Sequence, residues 1–238
     1  MQVSGKSSRP NLPWLIVLAF GARDRWKDGG RNINVRQRFF SRYGWPFVWG
    51  STDPEVREIL PCDVEVGDGP RTTPHRAIDI SAPPPVVYRC LCQIRVAPYS
   101  YDLLNNLGRR SPRALTPGVE QLELGQTFMT LFSLVSFIYH EQITIRASHW
   151  IVRLILGDLA ITYVVRPIGL NGTRLIVKLT LPRARRLAYI FQYLAGWLDL
   201  FMMRRQMLNM RDLAETFRDN PAVQNDCVRE RGMHQPVR

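Results

Sequence analysis

Apolar residues recur at helical spacing over the last long segment of the chain, residues 184–218. One series steps by three, four or seven positions, so its members share one face of a predicted α-helix: Leu187, Phe191, Leu194, Leu198, Phe201 and Leu208. A second apolar face follows the first half of the helix: Ile190, Tyr193, Trp197 and Leu200. Pro182 precedes this helix and Asn220-Pro221 follows it, which gives it natural limits. Because the helix is apolar on two sides, we expect one side to meet a curved β-sheet and the other to wall a cavity.

Two other interpretations of this helix stay open. Residues 187–203 approach the length of a membrane span, but Gln192 and Asp199 lie inside the segment, and Asp is among the costliest residues to insert. A plain core helix without a cavity is the second alternative. Gly196 costs about 1 kcal/mol relative to Ala in a helix interior, so it predicts a bend or the close approach of another backbone segment.

The segment before this helix predicts a series of strands, because it is rich in β-branched and aromatic residues. The predicted strands cover residues 128–138, 142–147, 150–156, 159–166 and 174–181. The breaks between them are short enough for hairpins, which indicates an antiparallel meander. In the last strand Leu175, Val177, Leu179 and Leu181 alternate with polar residues that include Arg174, Lys178 and Thr180. We therefore expect one solvent-facing side and one apolar side, and the C-terminal helix is the long apolar element left to cover the apolar side.

Shorter elements precede the meander. Asp53-Pro54-Glu55 is typical of a helix start, and Pro61 ends that helix. A first strand is predicted at residues 75–81, with Arg76, Ile78 and Ile80 on one face. A proline run at 83–85 then breaks the strand and opens a short amphipathic helix that reaches about residue 95. The predicted fold class is α+β, with about six or seven antiparallel strands around one long helix.

Composition sets the domain limits and the compartment. A chain of 238 residues with 45% hydrophobic content can form one substantial domain. We predict a disordered N-terminal extension at 1–42, a domain at 43–218 and a flexible tail at 219–238. The four cysteines are too irregular for a disulfide framework, and no secretory signal is convincing, so we expect a reducing cytoplasm. The scattered His and Cys residues predict no metal site and no cofactor.

The net charge of +12 is concentrated near the N-terminus. Residues 1–45 hold nine Lys and Arg residues against two Asp residues. Such a segment can make weak contact with an anionic membrane surface, but it is more often a solvated tail. The remaining chain holds 23 Lys and Arg residues against 18 Asp and Glu residues, so the basicity belongs largely to the N-terminal segment and nucleic acid is not the expected partner. The oligomeric state does not follow from the sequence.

The chain resembles the SRPBCC group, which includes START-related lipid-transfer proteins, plant allergens and polyketide cyclase-like proteins, and in particular uncharacterised actinobacterial members. The resemblance covers residues 43–217 and is carried by residues 88–102, 106–112, 157–163 and 202–206. It implies a helix-grip fold with an apolar cavity between the sheet and the long helix. Some members bind lipids, sterols or hormones, and some guide the cyclisation of aromatic polyketides. It supplies no agreed catalytic residue for these positions.

Candidate site residues fall into three sets. Tyr99, Tyr101 and Asp102 follow the short helix, where helix-grip folds place a cavity mouth; the alternatives are loop packing and, for Asp102, a helix cap rather than a general base. Arg109 and Arg110 suit a carboxylate or phosphate group, or form a solvated loop. The cavity-wall candidates, which could equally be simple core, are Trp150, Tyr163, Leu194, Trp197, Leu198 and Phe201. The predicted function is binding of a hydrophobic small molecule (a lipid, sterol or polyketide-like compound), and the alternative is an aromatase/cyclase-like enzyme that uses cavity Tyr, Asp and Arg groups.

Overall fold

The computed structural model describes residues 44, 46–96, 116, 118–184 and 187–218. The predicted extension at 1–42 and the tail at 219–238 lie outside the described residues. So do five of the predicted site residues, namely Tyr99, Tyr101, Asp102, Arg109 and Arg110.

Strands and helices alternate in an α+β order that ends in one long helix, as the sequence predicts. The N-terminal elements are β1 (Val48–Trp49), α1 (Asp53–Arg57), α2 (Pro61–Glu65), β2 (Arg71–Thr72), β3 (His75–Ile80) and α3 (Pro84–Cys92), followed by a 3₁₀ turn (Gln93–Arg95). The later elements are β4 (Thr127–Phe128), β5 (Phe132–Ile138), β6 (Gln142–Ala147), α4 (Trp150–Leu156), β7 (Ala160–Ile168), β8 (Gly172–Pro182) and α5 (Leu187–Phe217).

The strands form one eight-stranded sheet in the order β1-β3-β8-β7-β6-β5-β4, with β2 also paired to β8. The predicted meander is confirmed, because β5 to β8 pair with their sequence neighbours in antiparallel fashion. The strand β3 returns to pair with β8, so that His75 lies opposite Lys178. One pair departs from the prediction: β1 runs parallel to β3, so the sheet is mixed. The arrangement is that of a helix-grip fold.

The inner face of the sheet, which faces α3 and α5, holds the main core. Alternate residues of the central strands point to this face, among them Ile78, Tyr163 and Val177. The second half of α5 packs on them through Met207 and Met210, both almost fully buried. The predicted cover of the apolar face by the C-terminal helix is therefore present, and α3 shares that role.

The outer face of the sheet is buried as well, which corrects the expectation that it faces solvent. Helices α1 and α2 lie over it, where Leu60, Cys62 and Val66 form a second apolar cluster with Ala77, Ala160, Val164 and Ile176. The charged residues of β8 are buried there because they are paired. Lys178 Nζ donates to Asp63 Oδ2 at 2.6 Å, and Arg174 donates to Glu55 Oε1 at 2.8 Å and to Asp79 Oδ1 at 2.7 Å.

The segment 150–156 is helix α4 rather than the predicted strand. The side chain of His149 caps it by accepting a hydrogen bond from the Ile151 backbone N–H at 3.3 Å. Gly157, at a φ of +76°, ends the helix in a conformation that favours glycine. The neighbouring strands leave no place for another strand, since β6 pairs directly with β7. The β-branched composition that suggested a strand is overridden by these local caps.

Helix α5 buries a different face from the one that its most regular apolar series suggests. The buried positions include Gln192, Leu200, Gln206 and Leu213. The side chains of Phe191, Leu194 and Leu198 are instead 73%, 59% and 55% exposed. The expectation that the first half of α5 is covered on two sides is therefore wrong. The described helices all fall short of the combined length and apolarity that crossing a bilayer requires.

Another segment does approach closely at Gly196, but through side chains rather than through the predicted backbone contact. The segment that enters β1 crosses α5 at this glycine, and an added Cβ would lie 2.9 Å from Phe47 Cε1 and 3.2 Å from Pro46 Cγ. The ring of Phe47 also packs edge-on against Tyr193, with ring centroids 6.1 Å apart. The missing side chain thus makes room for another segment.

Candidate functional site

An ion pair joins the inner face of the sheet to the middle of α5. Arg76 of β3 donates from Nη2 to Asp199 Oδ2 at 2.8 Å, and its Nη1 donates to the backbone oxygens of Phe47 and His75. The side chain of Arg76 is 2% exposed and that of Asp199 is 23% exposed. Burial raises the pKa of the Asp199 carboxyl, although Arg76 opposes the shift. Burial lowers the pKa of the Arg76 guanidinium, which Asp199 opposes in turn.

A second polar contact lies about two helical turns further along α5. The Tyr163 hydroxyl of β7 donates to Gln206 Oε1 at 3.0 Å in a fully buried setting. Burial raises the pKa of the Tyr163 phenol, and the negative charge of Asp199 adds to this shift. The phenol is therefore neutral at physiological pH and keeps its proton available for a hydrogen bond.

These contacts belong to a polar stripe along the sheet-facing side of α5. Gln192, Asp199 and Gln206 are seven residues apart, so they lie on one face of the helix. Gln192 Nε2 donates to the Pro182 carbonyl at 2.8 Å, and its Oε1 accepts from the Ala184 backbone N–H at 3.0 Å. The stripe fixes the rotation of α5 against the sheet. Its two inner contacts also place a carboxylate, a guanidinium and a phenol in apolar surroundings.

The Arg76–Asp199 and Tyr163–Gln206 contacts together form a polar centre. Partly buried aromatic side chains lie beside it. The rings of Trp197 and Phe201 lie 6.3 Å apart on α5. The guanidinium of Arg204 lies over the ring of Trp49, 5.7 Å from its centroid. Such a surrounding supplies apolar contact area beside a few groups that can orient a ligand.

The structure brings together only some of the predicted site residues. Tyr163 lies at the polar centre, and Trp197 and Phe201 are half-buried on α5. Trp150, Leu194 and Leu198 are each more than half exposed, with Trp150 on α4 and the two leucines on the outer side of α5. As ligand-binding residues, all of these stay predictions.

Three residues of the polar centre were not predicted, although each had a signal. Arg76 shares a strand face with Ile78 and Ile80, and a single cation on an apolar face indicates a buried partner. Asp199 is the first charged residue of α5, which made it an argument against a membrane span but not a site candidate. Gln206 follows Asp199 at a step of seven, the spacing that places both on one side of the helix.

A depression of about 500 Å³ opens at the surface beside α4 and is lined by Trp150, Arg153, Leu154 and Asp158. None of these residues belongs to α5. Across the described part of the chain, no three His, Cys, Asp or Glu side chains are grouped in a way that could hold a metal ion.

Comparisons with known proteins give a limited likeness. No protein-family model matches the chain, and no curated protein matches it. Among solved structures, a protein from Chromobacterium violaceum is 17% identical with a TM-score of 0.36, covering 60% of this chain and 96% of that one. A protein from Nitrosospira multiformis is 10% identical with a TM-score of 0.40, covering 63% and 98%. The di-domain aromatase/cyclase StfQ of the steffimycin biosynthetic pathway is 12% identical with a TM-score of 0.38, covering 64% and 52%.

Proposed function

We propose that this chain binds a hydrophobic small molecule, such as a lipid, sterol or polyketide-like compound, between the inner face of the sheet and α5, as a protein of the SRPBCC type. The observation that carries the proposal is the pair of polar contacts inside an otherwise apolar interior, Arg76 with Asp199 and Tyr163 with Gln206. Apolar burial contributes about 25 cal/mol per Å² to binding, and a few polar groups set the orientation of the ligand.

An unsatisfied donor supports the same site. Within the described residues the Nε–H of Arg76 is buried and has no acceptor. A buried donor without a partner costs about 1–3 kcal/mol. A carbonyl or carboxylate oxygen of a ligand would satisfy it, so the preferred ligands carry one such group on an apolar body.

Native mass spectrometry of the gently purified protein, before and after incubation with fatty acids and sterols, tests this proposal. We expect an adduct of lipid size on the wild-type protein. Tyr163→Phe removes the buried hydroxyl and should weaken the adduct, whereas Tyr189→Phe, which changes an exposed tyrosine of α5, should leave it unchanged. Absence of an adduct from every preparation, or equal adducts on both variants, would contradict the proposal.

A second candidate function, an aromatase/cyclase-like enzyme, is favoured by the chemistry of the same groups. Asp199 has a raised carboxyl pKa, which suits a group that gives and takes a proton. The guanidinium of Arg76 and the neutral phenol of Tyr163 are hydrogen-bond donors that can polarise a carbonyl.

Turnover of a poly-ketone analogue would separate the two functions. An enzyme should lose turnover in Asp199→Asn while it still forms the ligand adduct, because the amide keeps an oxygen that can accept from Arg76. If the wild-type protein binds the analogue without turning it over, the result favours the ligand-binding function over the enzyme.

A further inference from the structure

Helix α4 exposes an apolar surface at one end of the sheet. Six of its seven residues are apolar and none is buried. Trp150, Leu154 and Ile155 are 67%, 75% and 72% exposed. An apolar cluster of this kind on a soluble domain usually marks an interaction surface.

The start of α5 adds a second apolar surface at the same end. Residues 187–198 contain no charged side chain. Four large apolar side chains there are more than half exposed: Ile190, Phe191, Leu194 and Leu198. Pro182, the last residue of β8, contacts both surfaces. A Cβ on Gly157, at the end of α4, would lie 3.2 Å from Pro182 Cγ. Gln192 of α5 donates a hydrogen bond to the Pro182 carbonyl.

The two segments that supply these surfaces carry a net positive charge. Residues 150–158 and 182–198 contain four arginines, Arg153, Arg183, Arg185 and Arg186, against one acid, Asp158. Arg153 at 3.1 Å and Arg146 at 3.3 Å pair with Asp158, so the excess positive charge comes from the sequence 183–186. An anionic partner is therefore favoured over a neutral or cationic one.

We propose that α4 and the first half of α5 form a docking surface for an anionic lipid bilayer. The uncharged stretch of α5 is only about 18 Å long at 1.5 Å per residue, about half of a bilayer core, so it lies on the membrane rather than across it. The exposed apolar side chains enter the interface, Trp150 sits at headgroup depth, and the exposed Arg183 contacts lipid phosphates.

The charge pattern separates a bilayer from a second copy of this chain. A symmetric dimer through this surface would place each arginine set against its own copy, and like charges across an interface oppose association. A bilayer that contains anionic lipid offers the opposite charge and an apolar layer together.

Vesicle flotation with the full chain tests the proposal. The probes are vesicles of phosphatidylcholine alone and of phosphatidylcholine with about one third phosphatidylserine. The test variant is Leu154→Gln/Ile155→Gln. The control is Leu170→Gln, since Leu170 is 98% exposed in the turn between β7 and β8, at the opposite end of the sheet. We expect the wild type and the control to float with the anionic vesicles, and the test variant to bind them about tenfold more weakly.

Three results would overturn the proposal. Equal flotation of all three proteins would mean that binding uses another part of the chain, such as the basic N-terminus. A change from dimer to monomer in the test variant alone would identify a second copy as the occupant. A lower Tm in the test variant than in Leu170→Gln would show that a segment of this chain already covers α4. The ligand adduct should be the same in the test variant and the control, so this result is independent of the proposed binding function.

Discussion

Burial dominates the ionisation of His75, and Lys178 adds to its effect while Asp63 and Glu55 oppose it. Its side chain is 1% exposed on the outer face of the sheet, and neither ring nitrogen has a hydrogen-bond partner among the described residues. Burial and the nearby Lys178 lower the pKa of His75 to about 4 from an ordinary value of 6.5. The folded domain therefore holds this imidazole neutral at pH values where the unfolded chain would protonate it.

This linkage predicts a loss of stability in mild acid. The unfolded state binds the extra proton below pH 6.5 and the native state only near pH 4, so the free energy of unfolding falls as pH drops through that window. Between pH 7 and pH 5 the expected loss is about 2 kcal/mol, measurable by urea denaturation. The lowered pKa values of Asp63 and Glu55 act at lower pH, and the raised pKa of Asp199 acts with the opposite sign to that of His75, so a matched variant is needed to assign the loss to His75.

His75→Leu is the matching variant. It removes the titrating group and leaves no unsatisfied nitrogen, so its stability should change much less between pH 7 and pH 5. A variant that loses as much stability as the wild type over this window would assign the effect to other groups.

At the level of the element, α5 has one buried face and one exposed apolar face. Leu200 is 1% exposed and Leu198, two positions earlier, is 55% exposed. Truncating the buried leucine leaves a cavity, whereas truncating the exposed one does not.

Leu200→Ala should therefore lower the free energy of unfolding by about 2–5 kcal/mol, and Leu198→Ala by less than about 0.5 kcal/mol. Chemical denaturation of the two variants beside the wild type checks this. Equal losses would mean that the face with Leu198 is covered in solution.

Sequence reasoning located most elements but not the faces that they bury. The bounds of β6, β8 and α5 agree closely with the predicted ones, because alternation and helical spacing are strong over long segments. Periodicity shows which residues share a face of α5, but both faces are apolar, so it cannot show which one meets the sheet. The two-residue strands β1, β2 and β4 have no detectable period.

The candidate site was predictable only where a pattern fixed the side of an element. The strand face of Tyr163 is predictable because its strand alternates between apolar and other residues, whereas its role in ligand binding stays a prediction. The Arg76–Asp199 pair was not, because its partners are more than a hundred residues apart and each position alone is only an unusual charge. The alternation along β8 predicts that its outer-face charges are solvent-exposed, because it does not show their partners on α1 and α2, which lie more than a hundred residues away in the chain.

Over the whole molecule, burial is greatest at the centre of the sheet and least at its α4 end. The strand β8 pairs with β3 and β7 and is buried on both faces, whereas α4 contains no buried residue. Opening β8 would disrupt both cores, but opening α4 would remove only the partly buried contacts that Val152 and Leu156 make with the main core.

Hydrogen–deuterium exchange should reflect this difference. We expect the amides of β7, β8 and β3 to exchange slowest and those of α4 to exchange faster by roughly two orders of magnitude or more. Peptide-level mass spectrometry over a time course measures it. Protection of α4 equal to that of β8 would show that α4 is covered.

The pairing of β3 with β8 also bears on how the chain is made. The partner of His75, Lys178, lies about a hundred residues later in the chain. When the ribosome has completed β7, β3 has already been synthesised, but the two residues of β1 are the part of its strand pairing that exists at that point. Translation of the first part of the domain therefore runs ahead of its folding, and the apolar side of β3 stays open to neighbouring nascent chains until β8 emerges. Transcripts that stop short of β8 should yield insoluble product.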